Sequence, residues 1–206
     1  MIDMKPILFN TKMVRAILDG RKTQTRRIIN PQPTNPRWNN VGWLGWDDGH
    51  GYRMKPPCEP GDFLWVRETW QHVYTYDDSD KAIEETGRYV YFADDPMPFT
   101  YWVDTDTGEH KDQMPWRPSI HMPREAARIF LRVTDVRVER LQDIDDDGVV
   151  AEGLEIGAQI DELWNSTLSK SSRAMFGWDA NPWVWVIEFE RCERPDSITF
   201  ISTMLS

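Results

Sequence analysis

Cysteine is almost missing from this chain: Cys58 and Cys192 are two among 206 residues. Two cysteines cannot build a disulfide framework or a cysteine-based zinc site, and so low a count fits a reducing cytoplasm. Histidine is also scarce, with four residues, His50, His72, His110 and His121. No two of them stand four apart on a helix and no HExxH is present. We therefore expect no metal. No run of about 18 apolar residues exists, so no membrane-spanning segment is expected. The opening "MIDMKPILFN" lacks the basic-then-apolar layout of a signal peptide. Nucleophile elbow, P-loop and GxGxxG are all missing, which excludes the commonest serine-hydrolase and nucleotide-cofactor designs; no cofactor is expected.

Tryptophan, by contrast, is abundant, at eleven residues. Each brings large apolar area and one donor, so the set serves a compact core or a stacking surface. Trp38, Trp43 and Trp46 fall in a Gly/Pro-rich stretch and are the better candidates for stacking on a base. Net charge is −10, which argues against a protein that coats nucleic acid non-specifically. The charge is unevenly spread. Residues 1–60 carry ten Lys/Arg and five Asp/Glu, and the remainder fourteen and twenty-nine. An acidic body with one basic region guides an anionic ligand to one place; acidic loops also simply keep a protein soluble.

The patterning predicts a single domain over 1–206 with insertions near 31–60 and 71–120. "KPILFN" reads as a strand. "NTKMVRAILDG" reads as a helix capped by Asn10 or Thr11, with Gly20 as the left-handed residue past its end. "EPGDFLWVRETW" is a turn and a strand covered on both faces, Phe63 and Trp65 pointing one way, Leu64 and Val66 the other. "TYDDSDKAIEETG" reads as a polar loop, "RYVYFA" as a strand, and "DTDTGE" as a hairpin turn. "AARIFLRVTDVRVERL" is a long strand whose alternation breaks at Thr134–Asp135, which predicts a bulge. "DIDDDGVVAEGL" and "IDELWNSTL" read as short helices. "NPWVWVIEFERC" is a last strand with Trp183, Trp185, Ile187 and Phe189 on one face. No βαβα alternation appears. The expected class is α+β, a mixed β-barrel with short helices at its ends.

The basic octet "GRKTQTRR" is the first candidate for chemistry. A lysine of depressed pKa beside a hydroxyl lowers the barrier to that hydroxyl's attack on a carbonyl. Lys22 and Thr25 face opposite sides if a regular strand follows Gly20, and converge if the chain makes one more turn. Arg21, Arg26 and Arg27 can bind phosphate, or can serve only to place cations at a helix C-terminus. Glu152, beside Gly153 at the end of a short helix, is disfavoured by the helix dipole unless a cation partners it. Lys22 would supply that partner, giving an acid–base pair; an exposed helix glutamate is the ordinary alternative.

"LDGRKTQTRR" resembles the signature of the ASCH domain, a relative of the PUA and EVE folds, which runs Gly-x-Lys-x-x-Glu-x-Arg. Here the positions are Gly20, Lys22, Thr25 and Arg27, so threonine stands in place of the glutamate. The same replacement occurs in a bacterial ASCH subgroup that hydrolyses N4-acetylcytidine with a lysine, a threonine and a more distant glutamate. The resemblance implies Lys22, Thr25 and Glu152 as catalytic residues and a PUA-like barrel. Arg21, Arg26, Arg27 and, from the Trp-rich stretch, Trp43 are the expected substrate-binding residues. "WRPSIHMP" and "VTDVRVERLQDI" look like ASCH proteins of phage and prophage genomes. The amidohydrolases are about half this length, so 31–60 and 71–120 have no counterpart in them.

Three functions follow as expectations. One is hydrolysis of an N4-acyl cytidine amide, with Thr25 as nucleophile, Lys22 activating it, Glu152 shuttling protons and Arg26 or Arg27 steadying the oxyanion. A second is a non-catalytic reader of RNA or modified DNA. A third is a metal-independent ribonuclease using Lys22 and Glu152. The expected partner is a modified nucleoside or RNA/DNA in a bacterial or phage-infected cytoplasm, with a host protein as a further partner for the Trp-rich insertions.

Overall fold

The computed structural model describes residues 3–33, 35–39, 42–47, 55–76, 79, 82–96, 102–103, 108–111 and 115–195. Eleven strands and four α-helices occur among them: β1 (Met4–Leu8), α1 (Thr11–Leu18), β2 (Gln24–Ile28), β3 (Asn35–Asn39), β4 (Gly42–Asp47), β5 (Phe63–Arg67), β6 (Trp70–Tyr76), β7 (Ala82–Tyr91), β8 (Trp102–Val103), β9 (His110–Lys111), β10 (Phe130–Arg140), α2 (Asp146–Ala151), α3 (Ile160–Ser166), α4 (Arg173–Phe176) and β11 (Trp183–Cys192). The class is α+β. No described helix is long and apolar enough to cross a membrane.

A five-stranded mixed sheet in the order β1-β5-β10-β11-β2 organises the chain. β1 runs parallel to β5, and the other pairs are antiparallel. The expected closed barrel is not formed. Pairing stops at β1 and β2, the two edges, and a cleft lined by both separates them. Across that gap the Arg27 guanidinium donates to the Leu8 carbonyl at 2.7 Å, a side-chain contact where a closed barrel would have a backbone ladder.

Alternation along each strand divides the buried residues between two faces, and they gather in three apolar clusters, the third being Leu141, Val184 and Val186 with Trp164 and Trp178. On one face Ile7, Leu64, Val66, Leu131, Val133, Trp185, Ile187 and Phe189 pack with Val14 and Ile17 of α1. On the other, Met4, Trp65 and Phe130 pack with Trp70 and Met122. Val14 and Ile17 are fully buried, each contributing roughly 1.5–3 kcal/mol of apolar burial, and they fix α1 against the sheet. The Asn10 side chain caps α1 by accepting from the Met13 amide at 2.9 Å. The bulge in β10 falls between Val133 and Asp135, as its alternation predicted.

Two stretches read as irregular are in fact paired. β6 and β7 form a hairpin in which Thr75 faces Ile83 and Tyr76 faces Ala82, inside the segment read as a polar loop. β3 and β4 pair within 31–60, with Pro36 in β3. Both strands of a two-stranded ribbon are edges, where a missing N–H is tolerated. Cross-strand partners decided these segments, and polar composition does not report partners. β8 and β9 flank the "DTDTGE" turn as a short hairpin.

Candidate functional site

The turn after α1 explains the basic octet. Gly20 takes a left-handed conformation, φ +75°, and the chain reverses so that the amides of Arg21 and Lys22 both donate to the Ala16 carbonyl, at 2.9 and 3.0 Å. Lys22 then forms an isolated antiparallel bridge with Glu152, and the Thr23 amide donates to the Ala151 carbonyl at 2.8 Å. β2 begins only at Gln24. The end of α2 is thus tied to the segment between α1 and β2. Asp145 caps α2 at its start, accepting from the Gly148 amide at 2.8 Å, and Glu152 caps its end.

At this junction the Lys22 ammonium meets three acceptors: the Glu152 carboxylate at 2.6 Å, the Gln24 carbonyl at 2.6 Å and the Glu152 carbonyl at 3.1 Å. Its side chain has no solvent exposure, and that of Glu152 has 11 %. Burial lowers the Lys22 pKa below the ordinary lysine value; Glu152 opposes this, and Arg27 and Arg26 add to it. The other carboxylate oxygen of Glu152 accepts from Arg26 at 3.3 Å, and Arg26 also pairs with Glu139 at 3.1 Å. Glu139 is in turn held by Arg137 at 2.6 Å. Charges of alternating sign therefore run from Lys22 along one face of β2 and β10, ending at a polar hollow of about 260 Å³.

Thr25 is buried, at 2 % exposure, and sits opposite Ile187 on β11. Among the described residues its hydroxyl bonds neither Lys22 nor Glu152. The link is through the backbone, since the Lys22 ammonium binds the carbonyl of the peptide that joins Gln24 to Thr25.

The three arginines diverge. Arg21 is exposed and engaged with Asp19 at 2.9 Å and the Gly153 carbonyl at 3.0 Å. Arg26 shares its face with Gln24 and joins the carboxylates. Arg27 lies on the opposite face, the face of Thr25, opposite Trp185 on β11. Its guanidinium stands 5.2 Å from the Phe9 ring centre, and the Lys22 ammonium stands 5.5 Å from the same ring. Arg27 and Trp185 line the cleft of about 490 Å³ between β1 and β2, whereas Lys22, Thr25 and Glu152 are not on its wall. Trp43 lies in β4, and its side chain falls outside the described residues. No group of three potential metal-ligating side chains occurs among the described residues.

Sequence reasoning did not pick out Glu139 or Gly153. Asp135, Arg137 and Glu139 alternate along β10, and that periodic charge was the available signal for Glu139. Gly153 has φ +83°, and a Cβ there would come within 2.7 Å of the Ala16 Cβ and 2.9 Å of the Lys22 Cβ. Nothing in one sequence reports so close an approach.

No family model matches the chain, and no curated protein is similar to it in sequence. Among solved structures the chain is similar to the crystal structure of protein EF3133 from Enterococcus faecalis V583, described as family-model DUF984, with a TM-score of 0.44 and 8 % identity over 94 % of this chain and 82 % of that one.

Proposed function

We propose that this is an ASCH-type, PUA-like protein that takes a nucleoside in the cleft between β1 and β2 and hydrolyses an N4-acyl amide of a modified cytidine. The observation that carries the reading is the Lys22–Glu152 pair. Two segments 130 positions apart, each singled out by residue chemistry and by resemblance, meet as ammonium and carboxylate at 2.6 Å. A cleft of about 490 Å³ is within the size range of small-molecule sites.

In this reading Lys22 passes a proton to Glu152 and so gains a lone pair. It then takes the Thr25 hydroxyl proton as the Thr25 oxygen bonds to the acyl carbonyl carbon. Arg27, at the border of cluster and cleft, steadies the oxyanion. The bond from carbonyl carbon to exocyclic nitrogen breaks, and Glu152 returns a proton to that nitrogen. Water then cleaves the acyl-threonine, releasing the carboxylic acid. Substrate entry must bring the Thr25 hydroxyl into line with Lys22, as catalytic hydrogen bonds often tighten only when substrate is bound.

Two observations favour the non-catalytic reading: the Thr25 hydroxyl is not bonded to Lys22, and the trio lies off the cleft wall. Incubation with N4-acetylcytidine, followed by chromatographic detection of cytidine, separates the two. Product that disappears in Lys22→Ala and Thr25→Ala supports the hydrolase. Binding without product supports a reader. Neither binding nor product overturns both.

A further inference from the structure

The wall of the cleft between β1 and β2 is electrostatically one-sided. Among the described residues Lys5, Arg27, Lys55 and Arg67 line it, and no aspartate or glutamate does. Most of its lining comes from the basic first 60 residues of a chain whose net charge is −10. Of the four cations, only Lys5 forms a salt bridge among the described residues, with Asp62 at 2.7 Å. Arg67 rests over the Trp65 ring, 4.8 Å from its centre, and its Nε is buried without a hydrogen-bond partner. A buried donor left unpaired is costly unless something else completes it.

The cations are also grouped. Arg67 is the register partner of Leu8, whose carbonyl accepts from Arg27. Two guanidinium-bearing residues therefore flank the same edge-strand position. Between the cations the lining is apolar, with Ile7, Leu64, Trp185 and Ile187. An apolar floor with cations at its rim, three of them outside any salt bridge among the described residues, suits a ligand with a flat, weakly polar body and a multiply charged anionic group. Guanidinium is the side chain best matched to phosphate oxygens.

We infer that the cleft between β1 and β2 contains a phosphate subsite, with Arg67 and Lys55 as its anchors beside Arg27, so that a nucleotide or a nucleic-acid end binds there more tightly than the free nucleoside. The inference rests on the reading that this cleft takes a nucleoside, and it adds the charge that the tighter ligand carries. Arg67 and Lys55 belong to no part of the proposed chemistry, so their substitution leaves Lys22, Thr25 and Glu152 intact.

Calorimetric titration of the full chain with cytidine, cytidine 5′-monophosphate and a tetracytidylate tests it. The monophosphate is expected to bind at least about tenfold more tightly than cytidine at low salt, and to lose most of that advantage on raising ionic strength. Inorganic phosphate should compete with the monophosphate and not with cytidine. Lys55→Gln, at an exposed position, should weaken the monophosphate several-fold and leave cytidine unchanged. Arg67→Gln should do the same more strongly, and Arg67→Lys should restore part of the loss. A tetracytidylate tighter than the monophosphate assigns the phosphate to a strand; one no tighter assigns it to a free nucleotide; either ranking supports the subsite. Equal affinity for cytidine and its monophosphate overturns the subsite while leaving the nucleoside reading in place. Binding of neither overturns both.

Discussion

Lys22 and Glu152 face each other as a bridge pair, and their side chains close the same contact at 2.6 Å. The backbone aligns what the charges then join. Removing one partner of such a pair leaves an uncompensated buried charge, at a cost of about 3–5 kcal/mol, unless another ion of the right sign still pairs with the one that remains. Glu152→Ala is therefore expected to lower the unfolding free energy by about 3 kcal/mol, because Lys22 has no solvent exposure. Lys22→Met should cost much less, because Arg26 still pairs with Glu152. Urea unfolding of both variants checks the order. Equal losses would show that the pair is not the buried charge it is taken to be.

Gly153 tests the same junction through sterics. Its left-handed conformation and the 2.7 Å approach of a would-be Cβ to Ala16 leave no room for a side chain. Gly153→Ala combines backbone strain with overpacking, each costing about 1–3 kcal/mol. The melting temperature should fall, and α2 should lose its bridge to Lys22. A Gly153→Ala protein with unchanged stability and an unchanged amide chemical shift at Thr23, which donates to Ala151, would contradict this packing.

The depressed Lys22 pKa has a pH signature. Burial lowers it below the ordinary 10.5, so between the lowered value and 10.5 the folded chain binds fewer protons here than the unfolded chain. Stability from this site rises with pH across that interval and is flat below it. Tyr91, pushed up to about 12 by burial, acts oppositely above its ordinary value of 10. The difference between wild type and Lys22→Met is therefore the readout. It should shift in favour of wild type as pH rises toward 10.5. In the proposed mechanism the pair must hold the proton that Glu152 returns to the leaving nitrogen, so kcat/KM on the acyl substrate should fall as pH rises through that lowered value. A difference that is flat with pH would mean that the lysine is not depressed.

Much of this arrangement was legible because local rules and tertiary structure agree. Asn10 caps α1, Gly20 turns the chain, and Thr134 breaks the alternation of β10, each on chemistry carried within a few residues. Glu152 was legible because a carboxylate at a helix C-terminus calls for a cation. The directions of Arg26 and Arg27 were not. They depend on where β2 starts, and that is set by the Lys22 bridge to a segment 130 residues away. The open edge between β1 and β2 was hidden for a similar reason. Closure is a property of the whole sheet, and each strand reads the same in a barrel or an open sheet. The β6–β7 hairpin was hidden because polar side chains masked backbone groups that find partners across the turn.

Thr25 separates the chemical reading from the merely structural one. The residue is buried and is the register partner of Ile187 on β11, and among the described residues its hydroxyl makes no hydrogen bond to Lys22. If the residue only fills space, Thr25→Val should be tolerated in both stability and function, because the two side chains are close in shape. If it is the nucleophile, Thr25→Val should keep the fold within about 1 kcal/mol and lose turnover of N4-acetylcytidine by a thousandfold or more. Thr25→Ser should keep measurable turnover, since the attacking oxygen remains. Brief mixing with substrate followed by intact-mass measurement adds an independent readout: wild type should carry one acetyl group at Thr25, and Thr25→Val none. A Thr25→Val protein that turns over substrate at the wild-type rate would remove the hydroxyl from the mechanism. The Lys22–Glu152 pair would then act on water directly, or would serve only to hold α2 against β2.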